Sequence, residues 1–178
     1  MRIEECFPTR SVSDRALSGL VRLLSVDPTS AAPTPLSEWT DGRIFKGVGA
    51  LNAQDEMFVP PLCFVFAAEE TEKTTPSQNS SMLFGFNILI FFEEPRTFVP
   101  VDEMTIMSVV DWVKGYLYAH QAIMEGTAVL TQKIESFKPL SYDTITFDDD
   151  TVLGVCPISV TYYSSVKTIS RNASVGTT

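Results

Sequence analysis

The sequence is short of the residues on which most enzyme active sites and metal centres depend. It contains one histidine and three cysteines in 178 residues. The cysteines are odd in number and far apart, so they indicate neither a disulfide framework nor a zinc site with its short ligand spacing. One histidine leaves no convincing serine–histidine or cysteine–histidine pair for nucleophilic catalysis. The sequence therefore predicts no catalytic residues, no cofactor and no bound metal.

Positive charge is also scarce. Lysine and arginine together number 13 against 22 aspartates and glutamates, which gives a formal net charge of −9. Recognition of nucleic acid needs a basic surface, and so does attraction to an anionic membrane. The composition therefore argues against both kinds of partner.

Long hydrophobic runs are missing as well. The longest apolar stretch, residues 82–92, is far shorter than the ~20 residues of a helix that spans a membrane. Residues 1–8 carry two acids and no apolar core, unlike a secretory signal peptide. We therefore expect a cytosolic protein in which Cys6, Cys63 and Cys156 are reduced packing residues.

The chain does contain enough apolar residues for one well-packed domain. Hydrophobic residues make up 44% of it and charged residues 20%, as in ordinary globular proteins. Its length fits one domain of ~100–200 residues. We predict a single domain over residues 1–166, followed by a flexible polar tail over residues 167–178.

Two segments have the apolar spacing of amphipathic helices. The first helix is predicted over residues 13–25, with Ser13 as its N-cap. The second is predicted over residues 102–120 and ends on His120, where a histidine interacts favourably with the helix dipole. Its apolar face is wide enough for the sheet on one side and a neighbouring subunit on the other. The core stripe predicted for it consists of Met104, Met107, Val110, Val113 and Leu117, widened by Ile106, Val109, Trp112 and Tyr116.

Four segments are predicted to be strands: residues 62–68, 82–92, 127–138 and 151–166. In the second of them the even-numbered residues form one continuous apolar face. Gly85, on the other face, marks a place where another backbone approaches closely. Pro157 in the fourth segment indicates a bulge or a sheet edge.

Two segments lack a sustained period. Residues 27–61 are rich in proline and glycine, and we expect either an irregular arm that reaches a neighbouring subunit or a loop packed back over its own sheet. Within this segment, a short strand pairing is expected around residues 43–48, with Asp41-Gly42 as a turn. Residues 69–81 are polar and contain no large apolar residue, which predicts a long, mobile, solvated loop.

The order of elements defines the fold class. Helices segregated to one face of an antiparallel sheet are typical of α+β proteins. We therefore predict a two-layer sandwich, in which a mainly antiparallel four-stranded sheet carries two helices packed on one face, plus a long irregular arm.

This order resembles that of the tail terminator, or tail-completion, proteins of tailed bacteriophages, a family with relatives among head–tail neck proteins. The resemblance covers residues 11–166 and begins with the first helix. It includes Pro61-Leu62-Cys63-Phe64-Val65-Phe66 before the polar loop and Gly85-Phe86-Asn87-Ile88-Leu89-Ile90 after it. The second helix and two C-terminal strands follow in the family's order.

The resemblance implies a non-enzymatic structural protein of the virion, located at the tail–neck junction and assembled in the host cytoplasm. In this family six copies form a ring that caps the finished tail tube, stops its polymerisation and presents a surface to the neck. The implied partners are further copies of the chain, the tail tube protein and a neck or connector protein. The sheath protein is a further candidate.

Two sets of residues are candidates for these contacts. The polar loop is the candidate site for a partner protein, through Glu69, Glu70, Glu72, Lys73, Gln78 and Asn79. The arm and the wide helix face supply the candidate subunit interface, through Trp39, Phe45, Trp112 and Tyr116.

Two other functions fit the same sequence. Another head–tail connector, neck or baseplate component would use this fold at a different junction. A small-molecule-binding or enzymatic domain would use the phenylalanine-rich strands as a pocket wall, where Asn87 is the one obvious polar group.

Overall fold

The computed structural model describes residues 11–47, 60–74, 80–93, 103–140, 143–146 and 152–165. These residues form an α+β structure in which helices cover one face of a β-sheet, so the predicted fold class is confirmed. The elements in chain order are α1 (Val12–Ser25), α2 (Pro35–Trp39), β1 (Ile44–Lys46), β2 (Leu62–Thr74), β3 (Ser80–Glu93), α3 (Glu103–Ala119), β4 (Met124–Glu125), β5 (Ala128–Val129), β6 (Lys133–Pro139), β7 (Asp143–Thr146) and β8 (Val152–Ser165).

The main sheet is mixed rather than purely antiparallel. Its strand order is β1–β2–β3–β8–β6, and β7 pairs with the first residues of β8 on the side that β6 occupies further along. Only the β1–β2 pair is parallel within the described ranges. The prediction of four strands is wrong because β1 and β7, of 3 and 4 residues, are too short to show an alternating pattern. β4 and β5 form a separate small hairpin.

The helix-facing side of the sheet carries the main core. The even-numbered residues of β3 lie on this side, as predicted from their alternation. A slip of one residue in pairing would move this whole apolar set to the other face, so the pattern also determines the register. The buried residues that β3 and β8 contribute are Phe84, Phe86, Ile88, Ile90, Phe92, Cys156, Ile158, Val160 and Tyr162.

α1 covers this core with one apolar stripe, formed by Ala16, Leu17, Leu20, Leu23 and Leu24. Its N-cap is Ser11 rather than the predicted Ser13, because the Ser11 hydroxyl accepts a hydrogen bond from the Asp14 N–H at 3.1 Å. The segment is serine-rich on both sides of Val12, so the apolar period alone does not distinguish the two starts.

Residues 27–47 pack against their own sheet, which is the second of the two alternatives for the irregular segment. Thr34 caps α2: its side-chain oxygen accepts from the Ser37 N–H at 3.1 Å and its hydroxyl donates to the carbonyl of Leu24. Leu36 and Ile44 are buried in the main core. The predicted pairing around residues 43–48 is β1, and the remainder of the segment up to residue 59 lies outside the described residues.

The predicted polar loop over residues 69–81 is wrong at both of its ends. β2 continues through Thr74 and β3 already begins at Ser80, so these residues form a long antiparallel ribbon. Residues 67–71 are exposed, which is why they show no apolar alternation. Their order comes from the backbone hydrogen-bond ladder with β3, which the side-chain pattern does not reveal.

α3 buries less of its apolar face than predicted. Val113 and Leu117 are fully buried, whereas Met107, on the same predicted stripe, is 61% exposed. Val109, Val110, Trp112 and Tyr116 are half-buried against the core. Among the side chains described, contact with the core is therefore closest in the C-terminal half of the helix.

Candidate interaction surfaces

The sheet face away from the helices carries a second apolar cluster near the start of β2. The rings of Phe64 and Phe91 meet edge-on with centroids 5.8 Å apart, and the ring centroid of Phe45 lies 5.5 Å from that of Phe64. The cluster consists of Leu62, Phe64, Phe91 and Val155, with Phe45 and Leu89 packed against it. Phe45, a predicted interface residue, thus packs within its own protomer.

The rest of that face mixes polar and apolar side chains, with Glu69 at the β2 margin and Lys133 and Lys138 at the β6 margin. The pairing register sets its side chains in rows across β2, β3, β8 and β6. Residues paired directly across strands point to the same face, so each row forms one strip of surface. The three rows are Thr71–Leu83–Tyr163–Lys133, Glu69–Gly85–Thr161–Ser136 and Phe66–Asn87–Ser159–Lys138.

Two edges of the main sheet have no neighbouring strand among the described residues. In the described part of the chain, β1 pairs with β2 as far as Val65, so over residues 66–74 the one described strand that pairs with β2 is β3. We call residues 66–74 the β2 edge. Among the described strands β6 pairs with β8 alone, and we call it the β6 edge. Unpaired strand edges offer rows of backbone donors and acceptors to another chain.

The β2 edge contains most of the residues predicted to bind a partner. Glu69 and Glu70 are exposed there, and Glu72 and Lys73 lie in the same strand. Glu69 is paired with Gly85 and Glu70 with Phe84, so the two carboxylates point to opposite faces of the sheet. Gln78 and Asn79 lie outside the described residues.

The predicted subunit-interface residues are not gathered at one place. Trp112 and Tyr116 stack on α3 with ring centroids 4.9 Å apart, on the helix side of the sheet. Phe45 lies on the other side, and Trp39 ends α2 with 40% of its surface exposed.

Tyr116 has a role within the protomer that the sequence did not predict. Its hydroxyl donates a 3.0 Å hydrogen bond to the carbonyl of Leu23, which joins α3 to α1. Burial raises the pKa of Tyr116 to about 12, and the nearby negative charge of Asp27 adds to the rise.

The chemically reactive residues have structural surroundings. Cys63 and Cys156 are free and buried, as predicted, and burial raises the pKa of both thiols and disfavours the reactive thiolate. Cys6 lies outside the described residues. His120 follows α3, and its Nδ1 is 3.0 Å from the carbonyl oxygen of Tyr116. A carbonyl only accepts hydrogen bonds, so Nδ1 donates, and the predicted place at the helix end is confirmed.

The described residues contain neither a metal-binding cluster nor a membrane-spanning helix. No group of three or more histidine, cysteine, aspartate or glutamate side chains in these ranges is arranged to hold a metal ion. None of the helices described has both the length and the apolar character needed to cross a membrane.

No protein-family model matches the chain. A search of curated proteins found no match either. Function is therefore inferred from the fold and from the two sheet edges that have no neighbouring strand in the described ranges.

The lysines of the β6 edge were missed by sequence reasoning. Lys133 and Lys138 lie in a segment that was correctly expected to contain a strand, but whether a strand is central or at an edge depends on the strand order. Lys133 lies 3.3 Å from Glu135 and 5.3 Å from the centre of the Tyr163 ring. The one signal of an edge strand in the sequence was the presence of lysines in the same segment as the apolar Ile134, because charged residues are common on exposed edges.

Proposed function

We propose that this protein is a non-enzymatic structural component of the tail–neck junction of a tailed bacteriophage. In this proposal it is a tail terminator whose copies form a ring on the tail tube and stop its polymerisation. The observation that carries the proposal is the pair of edges, on opposite sides of one sheet, that have no neighbouring strand among the described residues. A closed ring is built from contacts between two different surfaces of the same subunit, and these edges supply two such surfaces.

The element order supports the same function. A helix precedes a long β2–β3 hairpin, then a second helix and further antiparallel strands, all around one sheet. β2 and β3 have 13 and 14 residues, well beyond the usual ~5–6 of a strand. Residues 67–71 of β2, which are exposed, are suited to a contact with the tail tube or the neck.

The proposal is tested by inactivating the gene in the bacteriophage that encodes it. Loss of a terminator leaves tube growth unchecked, so we expect tails of extended and variable length that are not joined to heads, seen by electron microscopy. Tails of normal length that fail to join heads would instead favour a neck component. Normal, infectious particles would contradict both functions.

A further inference from the structure

We propose that the β2 edge of one copy docks against the β6 edge of the next copy. The inference rests on the proposed function for the existence of the ring. The contact itself is argued from pairing register, strand direction and charge.

The two edges lie at the same height along the strands. Following the register across β3 and β8, Lys133 of β6 is level with Thr71 of β2. At the other end, Lys138 is level with Phe66. Rotation about an axis parallel to the strands therefore brings one edge to the other without an axial shift. A ring that closes requires this, because a shift at every contact would produce an open helix.

Strand direction also suits the contact. β2 is antiparallel to β3, β3 to β8 and β8 to β6, so β2 and β6 of one protomer run in opposite directions. The same rotation preserves these directions. β6 of one copy therefore meets β2 of the next in the antiparallel orientation, the more frequent and slightly more stable form of pairing.

Charge distinguishes the two edges. The β2 edge has Glu69, Glu70 and Glu72 against one lysine, Lys73. The β6 edge has Lys133 and Lys138 against one acid, Glu135. In a head-to-tail contact without axial shift, Glu69 faces Ser136 of the next copy and lies between the rows of Lys133 and Lys138 on the face away from the helices, whereas Glu70 lies on the helix-facing side. In a symmetric contact each edge would face a copy of itself, and like charges would oppose it.

Both edges are interrupted at nearly the same height. The register shifts between Ala67 and Glu69 in β2 and between Ile134 and Ser136 in β6, on either side of one row of paired residues. Bulged edges do not accept an arbitrary strand. The bulges thus restrict the partners of both edges, and the charged side chains select among them.

The test uses two charge-reversal variants of the full chain. In the first variant, Glu69→Lys and Glu70→Lys make both edges basic. In the second, Lys133→Glu and Lys138→Glu make both edges acidic. We expect each variant alone to lose the high-mass species that wild type forms in light scattering. An equimolar mixture should recover it, because unlike edges then alternate around the ring.

The control carries the charge change of the second variant outside the edge strands. Arg22→Glu with Lys114→Glu reverses two exposed cations on α1 and α3 and should keep the wild-type mass. Circular dichroism checks that every variant is folded. Alternation requires an even number of subunits, so the recovered mass also tests the stoichiometry.

The outcomes separate the two proposals. If wild type forms a ring and the reversed variants keep its mass, the edge contact is wrong while the proposed function stands. Failure of the mixture to recover the mass also overturns the edge contact. A wild type that remains a monomer or a dimer at all concentrations overturns the edge contact and counts against the ring.

Discussion

Gly85 in β3 lies opposite Glu69 in β2, so close that a Cβ atom on Gly85 would come within 3.1 Å of the Glu69 carbonyl oxygen. The pairing register shifts at this point. The shift places Glu70 on the helix-facing side, opposite Phe84, and Glu69 on the other side. The absence of a side chain at Gly85 is thus tied to the bulge that shapes the β2 edge.

The first prediction concerns this glycine. In a strand, alanine is ordinarily the more stable residue, by roughly 0.5–1 kcal/mol. At position 85 we expect Gly85→Ala to lower the free energy of unfolding by about 1–3 kcal/mol, because the new atom comes within 3.1 Å of the Glu69 carbonyl oxygen and the β2 backbone must shift within its hydrogen-bond ladder. Chemical denaturation measures the change. Stability equal to or above that of wild type would contradict this, because it would mean that the β2 backbone at the bulge shifts at little cost.

The second prediction compares two helical glycines. A Cβ on Gly19 of α1 would overlap the Cγ2 atom of Ile123, which is buried, whereas no described atom lies within 4 Å of the corresponding position on Gly115 of α3. Alanine in an open helix site gains roughly 0.8–1 kcal/mol over glycine. We expect Gly115→Ala to raise the unfolding free energy by about that amount and Gly19→Ala to lower it. Equal effects of the two substitutions in denaturation would contradict the close approach at Gly19.

The third prediction concerns the hydroxyl of Tyr162. This side chain is fully buried, and its oxygen has no hydrogen-bond partner among the residues that the structure describes. An unsatisfied buried polar group costs about 1–3 kcal/mol. Tyr162→Phe should therefore leave the melting temperature unchanged or raise it. A clear drop would reveal a hydrogen bond to that oxygen.

The fourth prediction is a loss of stability in alkali. Burial raises the pKa of Tyr162 and raises that of Tyr116 to about 12, above the value of ~10 in an unfolded chain. The folded state therefore holds these protons more tightly, so their contribution is complete below pH ~10 and is lost as the pH rises further. Unfolding free energies measured from pH 8 to 11 should decline, and less steeply in Tyr162→Phe. A flat profile would contradict the burial of these hydroxyls.

The fifth prediction separates assembly of the ring from capping. Lys73 and Ser81 are paired in the hairpin, so an Asn-Gly turn joining them can replace residues 74–80. We expect the shortened chain to keep its thermal stability and its oligomeric mass, since the core and both edges up to residue 73 remain. It should fail to restore normal tail length when it replaces the wild-type gene. Full restoration of normal tail length would show that residues 74–80 are not needed for capping.

Local patterns predicted the parts of the fold in which one face is buried. Alternation identified the buried face of β3, the period of α1 identified its core stripe, and Gly85 was correctly identified as a close approach. Pro157 was expected at a bulge or an edge. The Leu140 N–H donates to the Pro157 carbonyl at 2.9 Å, so the backbone of Pro157 faces the side of β8 where the pairing with β6 ends and the pairing with β7 begins.

The features missed depend on partners distant in sequence. Residues 44–46 form a strand because they pair with residues 63–65. The outer part of β2 is a strand because it pairs with β3, not because its side chains are buried. The two edges of the candidate interface exist only once the strand order is known. For the same reason the aromatic residues chosen as an interface proved to lie on different sides of the sheet.

The most direct test of the ring is the solution mass of the wild-type protein, measured by light scattering over a concentration series. Six copies of the 19.7 kDa chain give a species of about 118 kDa, and a closed ring keeps that mass as concentration rises. We predict this plateau. A mass that stops at the dimer would contradict the head-to-tail account, because a dimer is built from one surface facing its own copy.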